Sequence, residues 1–426
     1  MNRIDRRKFL EMTAALAGTS IMTTTMPWFN IFNNPAPHGK GASDRVRIGM
    51  IGVGSRGRAL YLNLVELKDE MNIEIAAVCD NYVPHYDRAI ELTNGEAEAF
   101  LDYREMIDKV DLDAVVIATP LHEHAQQTMD CLRAGIHVYC EKSMARNLDD
   151  VKAMYDTHQE TGNILLIGHQ RLFNPVYLEA MDRIQRGDIG PITMLRGWWH
   201  RNTDWVFYTD TGGRGTALDR QRNWRFYDEY SAGMISELGS HHFQVANWVL
   251  GNQPLSVMGS GSINHFDDGR EVWDNFSLVF KYPEKIHFSY DCITSNKHNG
   301  VQVQVLGNDG TIELESNMQF EEFPTEPPSI QGLIDNIEQN ENATIPIGGA
   351  TWIPNAPMRL GGSYVSPDYE LNDTLLYLEG FINFVRNGEA PEKLTREGYQ
   401  ASTWTLLAEE ATKTGREVTL PEKYRI

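Results

Sequence analysis

The sequence predicts an α/β protein in two parts: an amino-terminal doubly wound parallel sheet, then an α+β unit built on a large, mostly antiparallel open sheet. Three observations predict it. A strand, a glycine-spaced turn, a helix, a second strand and an acid follow one another from Val46 to Asp80. Short apolar runs then alternate with helical periods to about Gly168, the pattern of a parallel sheet covered on both faces. Beyond Ser256, long strands of alternating polarity succeed one another directly, which implies antiparallel pairing with one face open.

The first strand is the run Val46, Ile48, Met50, Ile51, and Gly52-Val53-Gly54-Ser55-Arg56-Gly57 follows it. Glycines at this spacing let the backbone approach a pyrophosphate, and the helix that starts there offers unpaired N–H groups to its charge. Asp80 closes the second strand, Ile73 to Val78, and stands 23 residues after Gly57, placed to accept from a ribose hydroxyl. This order implies a bound dinucleotide, with Gly52, Gly54, Ser55, Arg56, Gly57 and Asp80 as its contacts. Asn81 and Tyr82 follow Asp80 where a 2'-phosphate would want a cation, which favours NAD; Arg56 in the glycine loop leaves NADP as the lesser alternative.

Ala114 to Ala118, Ile136 to Cys140 and Ile164 to Ile167 continue the parallel sheet, giving a nucleotide-binding unit over residues 45–168. The second unit, 169–426, opens with a helix from Pro175 to Arg186 and a Trp-rich strand from Ile192 to Trp199. A long loop and a helix from Ser236 to Leu250 precede the strands Ser256 to Ile263, Trp273 to Phe280, Lys285 to Cys292, Val301 to Leu306 and Thr311 to Leu314. Residues 324–370, rich in Pro, Gly and Asn, read as an extended loop, and helices Leu371 to Val385 and Thr395 to Thr414 close the chain.

The chain has 426 residues, room for two full cores, and its 41% apolar and 23% charged content is that of a soluble globular protein. A net charge of −21 repels phosphate backbones and anionic membranes, so no nucleic-acid partner is expected. Residues 1–44 stand apart as an export signal and linker. Arg6-Arg7-Lys8-Phe9-Leu10 before a moderately apolar stretch to Met26 resembles a twin-arginine signal, which predicts a periplasmic protein exported folded with its cofactor aboard. That stretch is too short and polar for a membrane span. The four cysteines have no metal-like spacing; the three in the nucleotide unit, Cys79, Cys131 and Cys140, lie in or beside apolar runs and read as small buried side chains, and no disulfide is expected.

Three strand ends aim polar groups at one crevice: Thr119-Pro120-Leu121-His122-Glu123-His124, Glu141-Lys142-Ser143, and Gly168-His169-Gln170-Arg171. Ligands bind outside the carboxyl ends of strands in such sheets. These residues, with the glycine loop, Pro175, and Glu237 followed by His241, resemble the Gfo/Idh/MocA oxidoreductase family over about residues 45–420. Ser143 stands where the family commonly has Pro, and Glu237 where many dehydrogenase members have Asp. The resemblance implies that Thr119, Pro120, His124, Glu141, Lys142 and Arg171 join the cofactor site. It further implies that Lys142 and His241 face a sugar hydroxyl beside the nicotinamide.

Those residue types suit the chemistry. Oxidising a secondary alcohol needs a base for the hydroxyl proton, and a desolvated Lys or an imidazole serves. Glu237 and His241, four apart near a helix start, are expected to share a face, with the carboxylate orienting the imidazole, so Lys142, His241 and Glu237 are the catalytic candidates. Metal is the rival reading of His122-x-His124 and His241-His242, but neither pair has a further ligand at zinc-like spacing, and no metal is expected.

Substrate contacts are expected from the aromatic and polar stretches Trp198 to Asn202 and Asn223 to Tyr230, since aromatic faces pack on sugar C–H faces while polar groups bond the hydroxyls. The candidates are His200, Arg201, Asp219, Arg222, Arg225, Tyr227 and His242; one of Trp198 and Trp199 must point inward by strand alternation.

The expected function is NAD-dependent oxidation of a secondary hydroxyl on a sugar or glycoside, with a tightly bound, recycled nucleotide. The alternative, which the resemblance also implies, is an NAD-dependent glycoside hydrolase working by transient oxidation, elimination and re-reduction. A binding protein that keeps NAD as a prop is the non-catalytic reading, and the presence of Lys142, Glu237 and His241 speaks against it. Long edge strands in an open sheet want covering, and the resemblance implies a homodimer or homotetramer through that face.

Overall fold

The computed structural model describes residues 45–208, 210–321, 362–366 and 372–426. The twin-arginine segment, most of the 324–370 stretch and Leu371 lie outside the described residues.

Six strands form the first sheet: β1 (Val46–Ile51), β2 (Ile73–Cys79), β3 (Glu98–Phe100), β4 (Ala114–Ile117), β5 (His137–Cys140) and β6 (Leu165–Ile167). All pair in parallel in the order β3-β2-β1-β4-β5-β6, so the strand order reverses between β1 and β4 and opens a crevice at their carboxyl ends. The strands are buried on both faces; Ala114 to Ile117 are all fully buried, as a parallel sheet between helix layers requires. β3 escaped sequence reading because three residues with one buried side chain carry no periodic signal.

Local chemistry sets the helix ends around this sheet. Asn147 accepts from Asp150 N at 2.9 Å to start Leu148–Thr161, and Gly162 ends it at φ +70°. The helix Ser55–Leu67 differs: Gly54 precedes it and no side chain caps its first turn.

The second sheet holds β7 (Ile192–His200), β8 (Ser256–Ser262), β9 (Asn275–Lys281), β10 (His287–Ile293), β11 (Val301–Gly307), β12 (Gly310–Glu313), β13 (Met318–Glu321) and β14 (Ser363–Tyr364). Their order is β14-β13-β12-β11-β7-β10-β9-β8. The Trp-rich strand β7 sits centrally and runs parallel to β10, so β10 and β11 do not pair as their succession suggested. Every other pairing is antiparallel. The inner face carries Leu195, Phe280, Phe288, Tyr290, Val303 and Val305, all at most 1% exposed, and Phe243 from the helix Ser240–Leu250 packs on Phe280 at 4.7 Å between ring centres.

The closing helices Asp373–Asn387 and Glu392–Thr414 return to the first sheet. Tyr377 donates to Ile167 O at 2.6 Å and Thr395 to Leu165 O at 2.6 Å, so the second unit's last helices also cover the edge strand of the first. Among the described residues no helix is long and apolar enough to cross a membrane, and all four cysteines are free and buried.

Candidate active site

The crevice at the β1/β4 switch point is a cavity of about 660 Å³, within the usual size of a small-molecule site. Gly52, Gly54, Ser55, Arg56, Asp80, Thr119 and Pro120 line it. Gly52 holds φ +87°, and a Cβ there would lie 2.8 Å from the Ala118 backbone. A Cβ on Gly57 would lie 1.9 Å from Gly52 O, so Gly57 is where helix and strand touch. With its first turn uncapped, the helix after Gly54 keeps N–H groups for a pyrophosphate. Asp80 accepts from Val53 N and Tyr82 N, each at 2.9 Å, which fixes the acid at the ribose position while leaving it lone pairs for hydroxyls. Cradle, helix end and acid fit a dinucleotide.

Arg56 is ion-paired at the edge of this cavity. Its Nε donates to Glu141 Oε1 at 2.8 Å, and that carboxylate is the first cause holding the guanidinium above its ordinary range. That carboxylate offsets the charge that a 2'-phosphate would need from the glycine loop. Glu141, 6% exposed, is a partner of Arg56 and of the Tyr139 hydroxyl rather than a lining group of the cavity. His124 is 2% exposed, with ring nitrogens 2.9 Å from Ser143 O and from Thr119 O, so it ties together the loops that follow β4 and β5. The Lys142–Ser143 peptide bond is cis.

Lys142 reaches from the end of β5 to the second unit. Its Nζ lies 3.0 Å from Glu237 O and 3.8 Å from Glu237 Oε2, and burial lowers its pKa. Burial alone would raise the Glu237 carboxyl, but Lys142 and Arg225 outweigh it and hold it below the usual range; Arg225 Nε donates to Oε2 at 2.8 Å. Glu237 sits in a five-residue π-helical turn, Ile235–Gly239, before the α-helix that begins at Ser240. This turn breaks the four-residue spacing, so the expected contact between Glu237 and His241 does not form, and the acid instead serves Lys142 and Arg225.

His241 is 8% exposed, and its Nδ1 has no partner. Burial, then Arg171 and Lys142, push it well below its ordinary value, so it is neutral. His169 lies beside it at 6.0 Å between ring centres, 1% exposed with both nitrogens unpartnered, pushed down to about 3 by burial and then by Lys142 and Arg171. The sequence places His169 among the polar groups at the crevice, directly after Gly168 at the carboxyl end of β6, but gives it no role of its own. His122 and Tyr230, 4.4 Å apart, line the cavity as well, and Tyr82 and His85 with them.

Several substrate and cofactor expectations are corrected. Asp219 is 3% and Tyr227 2% exposed; the two are hydrogen-bonded to each other, and Gly215 N and Asn223 Nδ2 also bind Asp219 at 3.0 and 2.9 Å. Both are spent inside their own loop. His242 is fully buried between Trp199 and Tyr290, at 5.4 and 5.2 Å, on the inner face of the sheet. Arg171 does not line the nucleotide cavity: it pairs with Glu315 and takes Tyr177 Oη at 3.0 Å from Nε, on the His241 side. Arg222 lines the cavity at its Asp80 end, against His85. His200 pairs with Asp291 across β7 and β10, and Arg201 lies 5.9 Å from the Trp199 ring. Among the described residues no group of three His, Cys, Asp or Glu converges as for a metal.

Residues 46–169 match the model described as oxidoreductase family, NAD-binding Rossmann fold, and residues 177–313 match the GFO/IDH/MocA C-terminal domain. The chain is 26% identical over 218 residues to a myo-inositol 2-dehydrogenase of Thermotoga maritima, covering 51% of this chain and 59% of that protein. It is 24% identical over 258 residues to a glycosyl hydrolase family 109 protein of Shewanella pealeana, covering 55% of each. The chain thus spans less than two thirds of the length of either relative. In fold it is similar to levoglucosan dehydrogenase solved with NADH and levoglucosan, at TM-score 0.68 and 18% identity over 89% of this chain and 100% of the other. Both halves of the chain agree with the crevice geometry, and the protein belongs to the Gfo/Idh/MocA oxidoreductase family, with an NAD-binding Rossmann sheet at its amino-terminal end.

Proposed function

We propose that this protein is an NAD-dependent oxidoreductase that oxidises a secondary hydroxyl of a sugar or glycoside and keeps its nucleotide through turnover. The observation that carries the reading is Lys142: a desolvated amine of lowered pKa beside Glu237, which also holds the cavity-lining Arg225, with the neutral His241 nearby. When bound, the nicotinamide supplies the hydride acceptor. Lys142 Nζ takes the hydroxyl proton, Glu237 and Arg225 hold that amine in place, and His241 offers a neutral imidazole to the same hydroxyl. Residues 45–168 would form the nucleotide unit and 169–426 the substrate unit. Aromatic and cationic groups near this point, Trp199 and Arg201 among them, suit a ring with polar and apolar faces. The test is to release and identify the nucleotide from purified protein, then follow hydride transfer with a panel of cyclitols, anhydrosugars and glycosides. A protein that carries and binds no pyridine nucleotide refutes the reading.

The second reading is redox-neutral glycoside hydrolysis by transient oxidation, elimination and re-reduction. The similarity to a glycosyl hydrolase family 109 protein favours it. Release of p-nitrophenol from a p-nitrophenyl glycoside without added acceptor selects hydrolysis; a ketosugar that accumulates only with an acceptor selects net oxidation.

We infer further that Arg6 and Arg7 direct export by the twin-arginine route to the periplasm, where a retained nucleotide is a necessity rather than a convenience. A variant with both arginines replaced by lysine should stay in the cytoplasm on fractionation. The open outer face of the second sheet, which carries the half-exposed Trp198, is the surface through which we propose a homodimer or homotetramer forms. Native mass spectrometry reads that assembly directly.

A further inference from the structure

Dinucleotide sites of this kind have two ends. The acid closing β2, Asp80, marks the adenosine ribose, and Thr119 and Pro120 after β4 lie toward the nicotinamide. Arg222 is at the first end, although it comes from the second unit. Its Nη1 lies 3.1 Å from His85 Nε2, and His85 Nδ1 lies 3.3 Å from Asp80 Oδ2. A guanidinium only donates, so His85 Nε2 accepts and the ring proton is on Nδ1, facing the carboxylate. The hydrogen bonds therefore run in one direction, from Arg222 through His85 to Asp80.

Contacts with Tyr82 and Asn81 make this a crossing of the cleft. The Arg222 guanidinium lies 4.4 Å from the centre of the Tyr82 ring and 5.3 Å from that of Phe207, and the neighbouring Gln221 donates to Asn81 at 3.3 Å. Residues 221 and 222 thus reach over to 81, 82 and 85. The short helix that presents them, Ala217–Arg222, is anchored by the buried Asp219 and Tyr227, which explains why these two groups are not free for substrate. Arg222 Nε is buried without a partner. An unpaired buried donor is costly, and Arg222 lines the cavity from which an acceptor would come.

We propose that Arg222 is the latch of the cofactor site: its Nε donates to an acceptor on the adenosine half of the dinucleotide, and its contact with His85 must open for the nucleotide to leave. This rests on the NAD-binding reading above and adds a means of retention to it, because the latch comes from the substrate-binding part of the chain and not from the Rossmann sheet.

The test uses the purified full-length holoprotein. Bound NAD is chased with excess ADP-ribose, which has the adenosine end and both phosphates but no nicotinamide. Arg222→Ala should shorten the half-time of NAD release about ten-fold or more and weaken ADP-ribose binding by a similar factor, while Arg222→Lys should fall between. His85→Ala should act in the same direction, and the double variant should add little to either single one. Unfolding temperatures of all variants separate a lost latch from a lost fold, and the Lys variant tests the proposal if Ala is unstable. A release half-time and ADP-ribose affinity unchanged in folded Arg222→Ala overturn the latch, as does a loss confined to sugar affinity. Wild-type protein that neither releases a pyridine nucleotide on denaturation nor binds NAD in calorimetry would instead remove the cofactor reading itself.

Discussion

Lys142 and Arg225 share one carboxylate oxygen. Glu237 Oε2 lies 3.8 Å from the amine, which comes from the end of a Rossmann strand, and 2.8 Å from the guanidinium, which comes from the second unit. The proposed base is therefore held by a group 95 residues away in sequence and is placed only once the two halves are together.

Replacing the amine should separate binding from chemistry. Lys142→Met is expected to lower kcat/KM by about three orders of magnitude, the usual weight of a positioned acid–base group, while the nucleotide content of the purified protein stays at the wild-type level. Turnover at the wild-type rate would remove Lys142 from the mechanism.

The pH profile should follow the environment of that amine. Burial lowers the Lys142 pKa and the charge of Glu237 opposes the fall, so the rise of activity with pH should have its midpoint below the ordinary lysine value of 10.5. In Glu237→Gln the opposing charge is gone and the midpoint should move further to acid. A shift to alkali in this variant would contradict the arrangement.

The glycine loop has no tolerance at Gly57. In Gly57→Ala the new Cβ would lie 1.9 Å from Gly52 O, so helix and strand must separate and the cradle opens. We expect loss of nucleotide from the purified protein and a lower unfolding temperature, read by calorimetry.

Asp219 is expected to act on stability rather than on sugar recognition. Asp219→Asn weakens the bonds from Tyr227, Gly215 and Asn223 and should cost about 2 kcal/mol in denaturant unfolding, with faster NAD release and little change in the sugar KM. A specific rise in KM with unaltered stability would return Asp219 to the substrate site.

Glu397 provides a test of buried charge. Burial pushes its carboxyl up to about 7 in the fold, against a reference of 4.5, and Gln244 is its neighbour at 3.3 Å. A raised carboxyl binds its proton more tightly when folded, so its contribution is complete below pH 4.5 and is lost as pH climbs to about 7, up to about 3 kcal/mol. Glu397→Gln should match the wild type in thermal unfolding near pH 4.5 and exceed it near pH 8.

The first sheet was legible because β1, the glycine loop and Asp80 are contiguous and each glycine has a steric reason that local sequence states. Lys142 was legible as a residue next to a strand end. Its partners were not: the π-helical turn that moves Glu237 from His241 to Arg225 has no signature in spacing, and helical periodicity misplaced the contact. His169 was legible as a strand-end residue but without a role, because a histidine after a strand looks alike whether it faces solvent or a closed polar pocket.

What the sequence alone determined is the order of elements, the nucleotide cradle and the strand ends that gather the chemistry, all consequences of short-range sterics and periodicity. Tertiary structure decided the rest. Asp219, Tyr227 and His242 carry the same functional groups as true ligands, but packing ties the first two to each other and buries the third, its ring nitrogens unpartnered, on the inner face of the sheet. Arg222 is 137 residues from His85, and which end of the cavity it reaches is set by how one sheet docks on the other, a relation between distant surfaces that no local pattern encodes.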